Sequence, residues 1–178
     1  MDRNLGATQV ATSSTDALAY GDLYQWGRGA DGHQLRNSPT TTTVSSSDQP
    51  GNGNFIISSP NFDWRSPRND NLWQGLNGVN NPCPSGYRLP TATEWDAERI
   101  SWSSNNAAGA LASPLKLPLG GFRNYLSGSS LFVGRDAYYW SSTVNGSDSR
   151  SLSFESGSAV LEFIDRRAYG NSVRCIND

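Results

Sequence analysis

The chain has 178 residues, 35% of them hydrophobic, and a formal net charge of −2. That is the size of one domain, and the charge excludes the basic footprint of a nucleic-acid binder. No apolar run approaches the ~20 residues a membrane helix needs, and no signal peptide is read after Met1.

Residues 1–10 read as an opening strand and turn. Ser13-Ser14-Thr15-Asp16 supplies N-cap candidates, and Ala17-Leu18-Ala19-Tyr20 with Leu23, Tyr24 and Trp26 follows at near-helical spacing. A helix is therefore expected over 15–26, weakened by Gly21 and stopped at Gly27. Residues 29–60 read as loop, with Thr and Ser runs and the turn-forming Pro50-Gly51-Asn52-Gly53-Asn54, except for a short strand at Phe55-Ile56-Ile57. Loops of this length inside a domain are often functional. The stretch from Asn61 to Pro84 stays irregular, but Trp64 and Trp73 are expected to pack it down.

Thr91-Ala92-Thr93-Glu94 is a capping box: the Thr91 hydroxyl accepts from the Glu94 N–H, and the Glu94 carboxylate reaches back to the Thr91 N–H. Trp95, Arg99 and Trp102 then share a face, so a helix is expected over 92–102, ended by Ser103-Ser104-Asn105-Asn106. Beyond it the period is two. Leu115, Leu117 and Leu119 alternate, and strands are expected at 138–143, 150–154, 159–164 and 172–176, with a hairpin signal at Asn145-Gly146. Helices followed by an antiparallel meander imply an α+β fold, read as a single domain over 1–178.

Six Trp, seven Tyr and six Phe compensate for the few aliphatic residues, since each ring buries roughly 150–250 Å². Of the 14 basic residues only Lys116 is not Arg. Arg makes fork-like and stacking contacts that suit either a hydrogen-bonded scaffold or a recognition surface. Cys83 and Cys175 are 92 positions apart. They form either one disulfide, worth roughly 4–5 kcal/mol by chain entropy, or two buried thiols. His33 is the only His and reads as an exposed loop residue, so neither a metal site on these Cys nor a hydrolase triad is indicated. Glu98, one turn after Glu94, reads as solvated.

Several segments together carry a family signature: Met1-Asp2-Arg3-Asn4-Leu5-Gly6-Ala7, Tyr20 to Arg28, Asn81-Pro82-Cys83-Pro84-Ser85-Gly86-Tyr87-Arg88-Leu89-Pro90-Thr91, Tyr139-Trp140-Ser141-Ser142-Thr143 and Ser172-Val173-Arg174-Cys175-Ile176. In this the chain resembles the Fibrobacter succinogenes major paralogous domain, found in surface and secreted proteins of Bacteroidetes and Fibrobacteres. A Trp usually precedes the first element there, so the chain reads as a piece of a longer protein. The resemblance implies a C-type-lectin-like fold related to the formylglycine-generating enzymes: two helices packed on a small twisted antiparallel sheet, with long structured loops. It implies a Cys83–Cys175 disulfide stapling the second helix to the last strand. The close pair of reactive cysteines that the oxidase needs is missing, so no enzyme activity is expected.

Residues 138–176 are also similar to the C-terminal region of retroelement-diversified variable proteins of this fold. Trp140 is expected to point into the core, as are Leu152 and Phe154, with Ser151 facing out; on the next strand Leu161 and Phe163 are expected to oppose Glu162 and Ile164. The expected binding face comprises Tyr139, Ser141, Thr143, Asn145, Asp148, Arg150, Ser153, Glu155, Arg166, Arg167 and Tyr169, since Tyr and Arg dominate hot spots and Ser and Asn adapt. Loop 29–60 is expected to border it. The resemblance also makes a structural calcium conceivable at Asp63, Asn69 and Asp70, against ordinary Asx-turn chemistry there; no other cofactor is expected. The expected role is a secreted or surface-displayed domain binding a glycan or protein ligand, with no nucleic acid and no membrane insertion. The alternative is a structural subunit of a surface appendage or phage fibre.

Overall fold

A computed structural model of the chain describes all 178 backbone positions and every side chain except those of Leu161, Glu162 and Phe163. The expected opposition of Leu161 and Phe163 to Glu162 and Ile164 therefore lies outside the described side chains. Two α-helices, α1 (Ala92–Ile100) and α2 (Ala107–Ala112), stand amid eleven strands. These are β1 (Tyr24–Gln25), β2 (Thr40–Thr41), β3 (Phe55–Ile56), β4 (Tyr87–Arg88), β5 (Phe122–Arg123), β6 (Ser130–Leu131), β7 (Ala137–Asn145), β8 (Asp148–Phe154), β9 (Ala159–Arg166), β10 (Gly170–Asn171) and β11 (Ile176–Asn177). The fold is α+β with few helices. The β7-β8-β9 meander, the sheet of order β1-β10-β5-β6 and the β4–β11 pair are antiparallel; β2 and β3 pair in parallel.

The capping box forms as read, with the Thr91 hydroxyl accepting from Glu94 N and the Glu94 carboxylate accepting from Thr91 N at 2.7 Å. Arg88 completes it with two bonds to the Glu94 carboxylate, at 2.9 and 2.8 Å. That guanidinium first, with the Thr91 bonds behind it, holds Glu94 down at about 2. Glu98 is not simply solvated, because its carboxylate accepts from the Trp102 indole N–H at 2.9 Å.

The helix expected over 15–26 does not form. Only a 3₁₀ turn, Ala17–Ala19, appears, capped by the Asp16 side chain. Gly21 adopts φ +66, where a Cβ would stand 2.2 Å from the Leu5 carbonyl oxygen; the chain then turns into β1, which pairs with β10. Leu23, Tyr24 and Trp26 are all buried, on more sides than one helix stripe could cover. The helix α2, by contrast, is additional to the sequence reading. Asn106, read as the end of one helix, is the N-cap of the next, accepting from Ala108 N and Gly109 N. The 115–119 stretch has no ladder partner, and the expected strand at 172–176 is reduced to its flanks, β10 and β11.

The hairpin between β7 and β8 turns on Gly146 and Ser147, with Gly146 at φ 59, as a two-residue turn matching the strand twist requires. Its inner strand is covered on both faces. Tyr139 joins Trp95, Trp102, Leu152 and Phe154 in a core under the helices, whereas Trp140 joins Trp26, Trp73, Leu89 and Val173 in a second core. The Cys83–Cys175 disulfide is present, its Cα atoms 5.9 Å apart, beside the β4–β11 pair. No helix among the described residues is long and apolar enough to cross a membrane.

Buried polar groups carry much of the loop structure. Five of the six Trp indoles donate to backbone carbonyls, among them Trp26 to Ser141, Trp140 to Tyr24 and Trp64 to Trp26. Four arginines are essentially fully buried: Arg28, Arg123, Arg167 and Arg174. Arg123 alone donates to Gly128 O, Leu35 O, Ser38 O and Ser38 Oγ, and lies over the Phe55 ring at 4.2 Å. These arginines therefore act as scaffold.

Candidate functional site

The residues expected to form one binding face are dispersed. Tyr139 and Ser141 are fully buried and Arg167 is 1% exposed, so none of the three meets solvent. The reason is the double cover of β7: strand alternation separates two faces, but here both are interior. The Tyr139 hydroxyl donates to Pro118 O and accepts from Asn4 Nδ2. The Ser141 hydroxyl donates to Arg150 O, and Thr143 Oγ1 accepts from Ala92 N at the start of α1. Ser151, expected to face out, is also buried.

At the hairpin end, Asn145 pairs with Asp148 and both are half-buried. Arg167 lies beneath this turn. Its guanidinium meets the Asp70 carboxylate at 2.6 Å, lies 4.5 Å from the Trp26 ring centre and reaches Gly146 O and Asp148 O. The residues considered for calcium are engaged within the chain. Asp70 is taken by Arg167, Asn69 donates to Asp48 Oδ1, and Asp63 accepts from Arg65 N. Burial raises the Asp63 carboxyl, and the nearby Arg167 partly counters that. Among the described residues no group of three or more His, Cys, Asp or Glu is arranged to hold a metal.

His33 is fully buried rather than an exposed loop residue. Its Nε2 accepts from Gln25 N at 3.0 Å, which leaves the proton on Nδ1, 2.6 Å from Asp31 Oδ1. Burial holds it down at about 4. With Nε2 already engaged, the imidazole has no lone pair for a substrate.

What the structure gathers instead is an aromatic cavity on the face of β7 away from the helices. It measures about 190 Å³ and is lined by Phe122, Phe132, Tyr138, Asp165 and Tyr169. Phe122 is its hub. The Phe132, Tyr138 and Tyr169 rings stand at 68°, 76° and 87° to it, with centroids 5.0–5.5 Å away. Tyr169 also stacks edge-on with Tyr125 at 4.7 Å, and Arg166 covers Phe62 at 3.6 Å while donating to the Tyr125 hydroxyl. Phe132 holds φ 58, a left-handed conformation unusual for a bulky residue, and is 40% exposed.

Asp165 supplies the polar wall. It is 4% exposed, and Ser151 Oγ and Asn171 Nδ2 donate to its Oδ2 at 2.8 and 2.7 Å. Among the described residues no cation pairs with it. Burial pushes its carboxyl up to about 6 against those two bonds, with the charge of Asp148 adding to the rise. Of the residues expected from sequence, Tyr169 lines this cavity and Arg166 adjoins it; Ser153 pairs with Tyr138 across the strands. Arg150 lies on β8, half-buried, and Glu155 is exposed beyond the end of that strand. Phe122, Phe132, Tyr138 and Asp165 were not anticipated. The available signal was Phe122, Phe132 and Tyr138 preceding or opening the meander, with an acid inside an apolar strand. A larger cavity of about 490 Å³ lies between the 29–31, 48–53 and 79–81 loops and holds none of the expected residues.

Comparison with protein-family models, with curated proteins and with solved structures returns no match.

Proposed function

We propose that the chain is a non-catalytic ligand-binding domain of C-type-lectin-like fold, working outside the cytoplasm, with its ligand docking at the aromatic cavity and the Tyr125–Arg166 shelf beside it. The observation that carries this reading is a solvent-reachable cluster of rings around a buried carboxylate that no cation pairs with among the described residues. Concave, mostly apolar sites with one placed polar group are the common form of ligand pocket. The resemblance of the motif segments to surface-displayed paralogous domains supports it, as does the disulfide, which persists in oxidising compartments. The engaged His33 and the absence of an oxidase-type cysteine pair favour binding over catalysis. The test is a glycan array and surface-ligand capture with wild type and Tyr169→Ala/Arg166→Ala. Binding lost in the double variant, with its circular dichroism unchanged, is expected; binding that survives it would move the site elsewhere.

A further inference from the structure

We infer that the cavity bounded by Phe122, Phe132, Tyr138 and Tyr169, with Asp165 in its wall, binds a quaternary ammonium group of the choline type. This assignment rests on the ligand-binding reading and names the ligand's chemistry.

The argument begins with charge. A carboxylate buried without a counter-ion is costly, and hydrogen bonds from Ser151 and Asn171 offset only part of that cost. A cation entering the cavity would supply the missing charge. The walls decide which cation. Hard metal ions want several oxygen ligands, whereas this cavity offers one carboxylate and four rings. Ring faces carry negative potential and attract cations, most of all those that shed water easily. One ring already does so here: the Arg135 guanidinium lies 3.6 Å from the Phe132 centre, itself paired with Asp136.

A primary ammonium would bring three N–H donors, and rings cannot satisfy them. A fully methylated nitrogen brings none, so it loses least on entering. Size agrees. About 190 Å³ is below the roughly 300–1,000 Å³ of drug-sized sites, and suits a headgroup rather than a whole ligand. The near-perpendicular arrangement of three rings on Phe122 gives the box its walls. Phe132 sits in its left-handed conformation at the exposed rim, the kind of backbone strain that marks ligand clamps.

The groups facing Asp165 set the pH response. Asp148 raises it; Ser151 and Asn171 lower it; Tyr138 and Tyr169 stay neutral; Arg135 is paired with Asp136, and Arg166 is stacked on Phe62 and Tyr125. Ammonium binding therefore weakens on acidification below about pH 6, as Asp165 takes its proton.

The test titrates the full chain with tetramethylammonium and choline, read by calorimetry and Tyr/Trp fluorescence, against 3,3-dimethylbutan-1-ol, the uncharged isostere of choline. We expect saturable binding of both cations at about pH 7.5. The alcohol should bind at least tenfold more weakly, as should choline to Asp165→Asn or Phe132→Ala. Choline binding should also fall about tenfold at pH 5. Phosphatidylcholine vesicles then tell a lipid headgroup from a free quaternary ammonium ion. Equal binding of the alcohol, or no binding of either cation to folded protein, overturns the assignment. If the cations fail while array binding still depends on Tyr169 and Arg166, the ammonium assignment falls and the binding reading stands. If both fail, both fall.

Discussion

Tyr139 and Trp140, neighbours in the chain, enter different hydrophobic cores on opposite faces of β7. The Tyr139 ring lies nearly parallel to Phe154, 5.8 Å away, while the Trp140 indole donates to Tyr24 O. One strand thus joins the helical layer to the loop-built layer, and the two residues are tested as a pair. Trp140→Ala is expected to cost about 3–5 kcal/mol. Tyr139→Phe keeps the ring but strands Pro118 O and one of the two Asn4 Nδ2 protons, the other still bonded to Tyr20 O, for about 1–3 kcal/mol. Urea unfolding with an unchanged slope checks both; a neutral Tyr139→Phe would show the hydroxyl to be dispensable.

Arg167 is a second anchor. Replacing it with Met should destabilise the fold by about 3 kcal/mol, because the Trp26 face, the hairpin carbonyls and Asp70 all lose one guanidinium. Arg167→Lys should fall between, since an ammonium cannot reproduce the fork. Denaturation midpoints in the order Arg, Lys, Met are the expected result; Lys equal to Arg would reduce the side chain's role to its charge.

The expectation of one exposed face from Tyr139 to Tyr169 failed for a physical reason. Period-two alternation says which side chains share a side, not what covers that side, and β7 is covered twice. Motifs whose energy is local were legible: the Thr91–Glu94 capping box, the Gly146 turn and the 159–164 core of β9. The helix over 15–26 was not, because Gly21's close approach to Leu5 O and the pairing of β1 with β10 depend on distant residues. The cavity was least legible of all. Phe122 and Asp165 are 43 positions apart and meet only through the sheets.

Removing the disulfide should cost about 4–5 kcal/mol, the chain-entropy worth of a loop closed over 92 positions. Thermal unfolding with and without reductant, beside Cys83→Ser/Cys175→Ser, checks it. A change near zero would mean that the β4–β11 pairing and the surrounding core hold these segments unaided.

Two buried groups titrate against each other. His33, held at about 4 by burial against an ordinary 6.5, binds its proton more readily when unfolded; its contribution is complete above about pH 6.5 and lost as pH falls toward 4. Asp165, raised from 3.8 to about 6, binds its proton more readily when folded. It costs stability above about pH 6, and that cost fades as pH falls toward 3.8. The slopes oppose, so Asp165→Asn should be more stable than wild type at about pH 7.5, by at most about 3 kcal/mol. It should also lose stability more steeply between about pH 6.5 and 4. Urea titrations across that range test both; a variant weaker at pH 7.5 would make the carboxylate a net stabiliser.

The indole-to-carbonyl bonds also determine where the chain can grow. Ser141, Trp26, Tyr24, Trp140 and Asn80 each give a carbonyl to a Trp, so inserting residues beside them would pull a donor from its acceptor inside a core. The exposed turn at 156–157 lies outside these tethers, whereas Asn52 O is held by Arg28, Gly146 O by Arg167 and Glu155 O by Ala107 N. Length variation and grafted peptides should be accepted at 156–157, while the irregular stretches around Trp64 and Trp73 keep a fixed length.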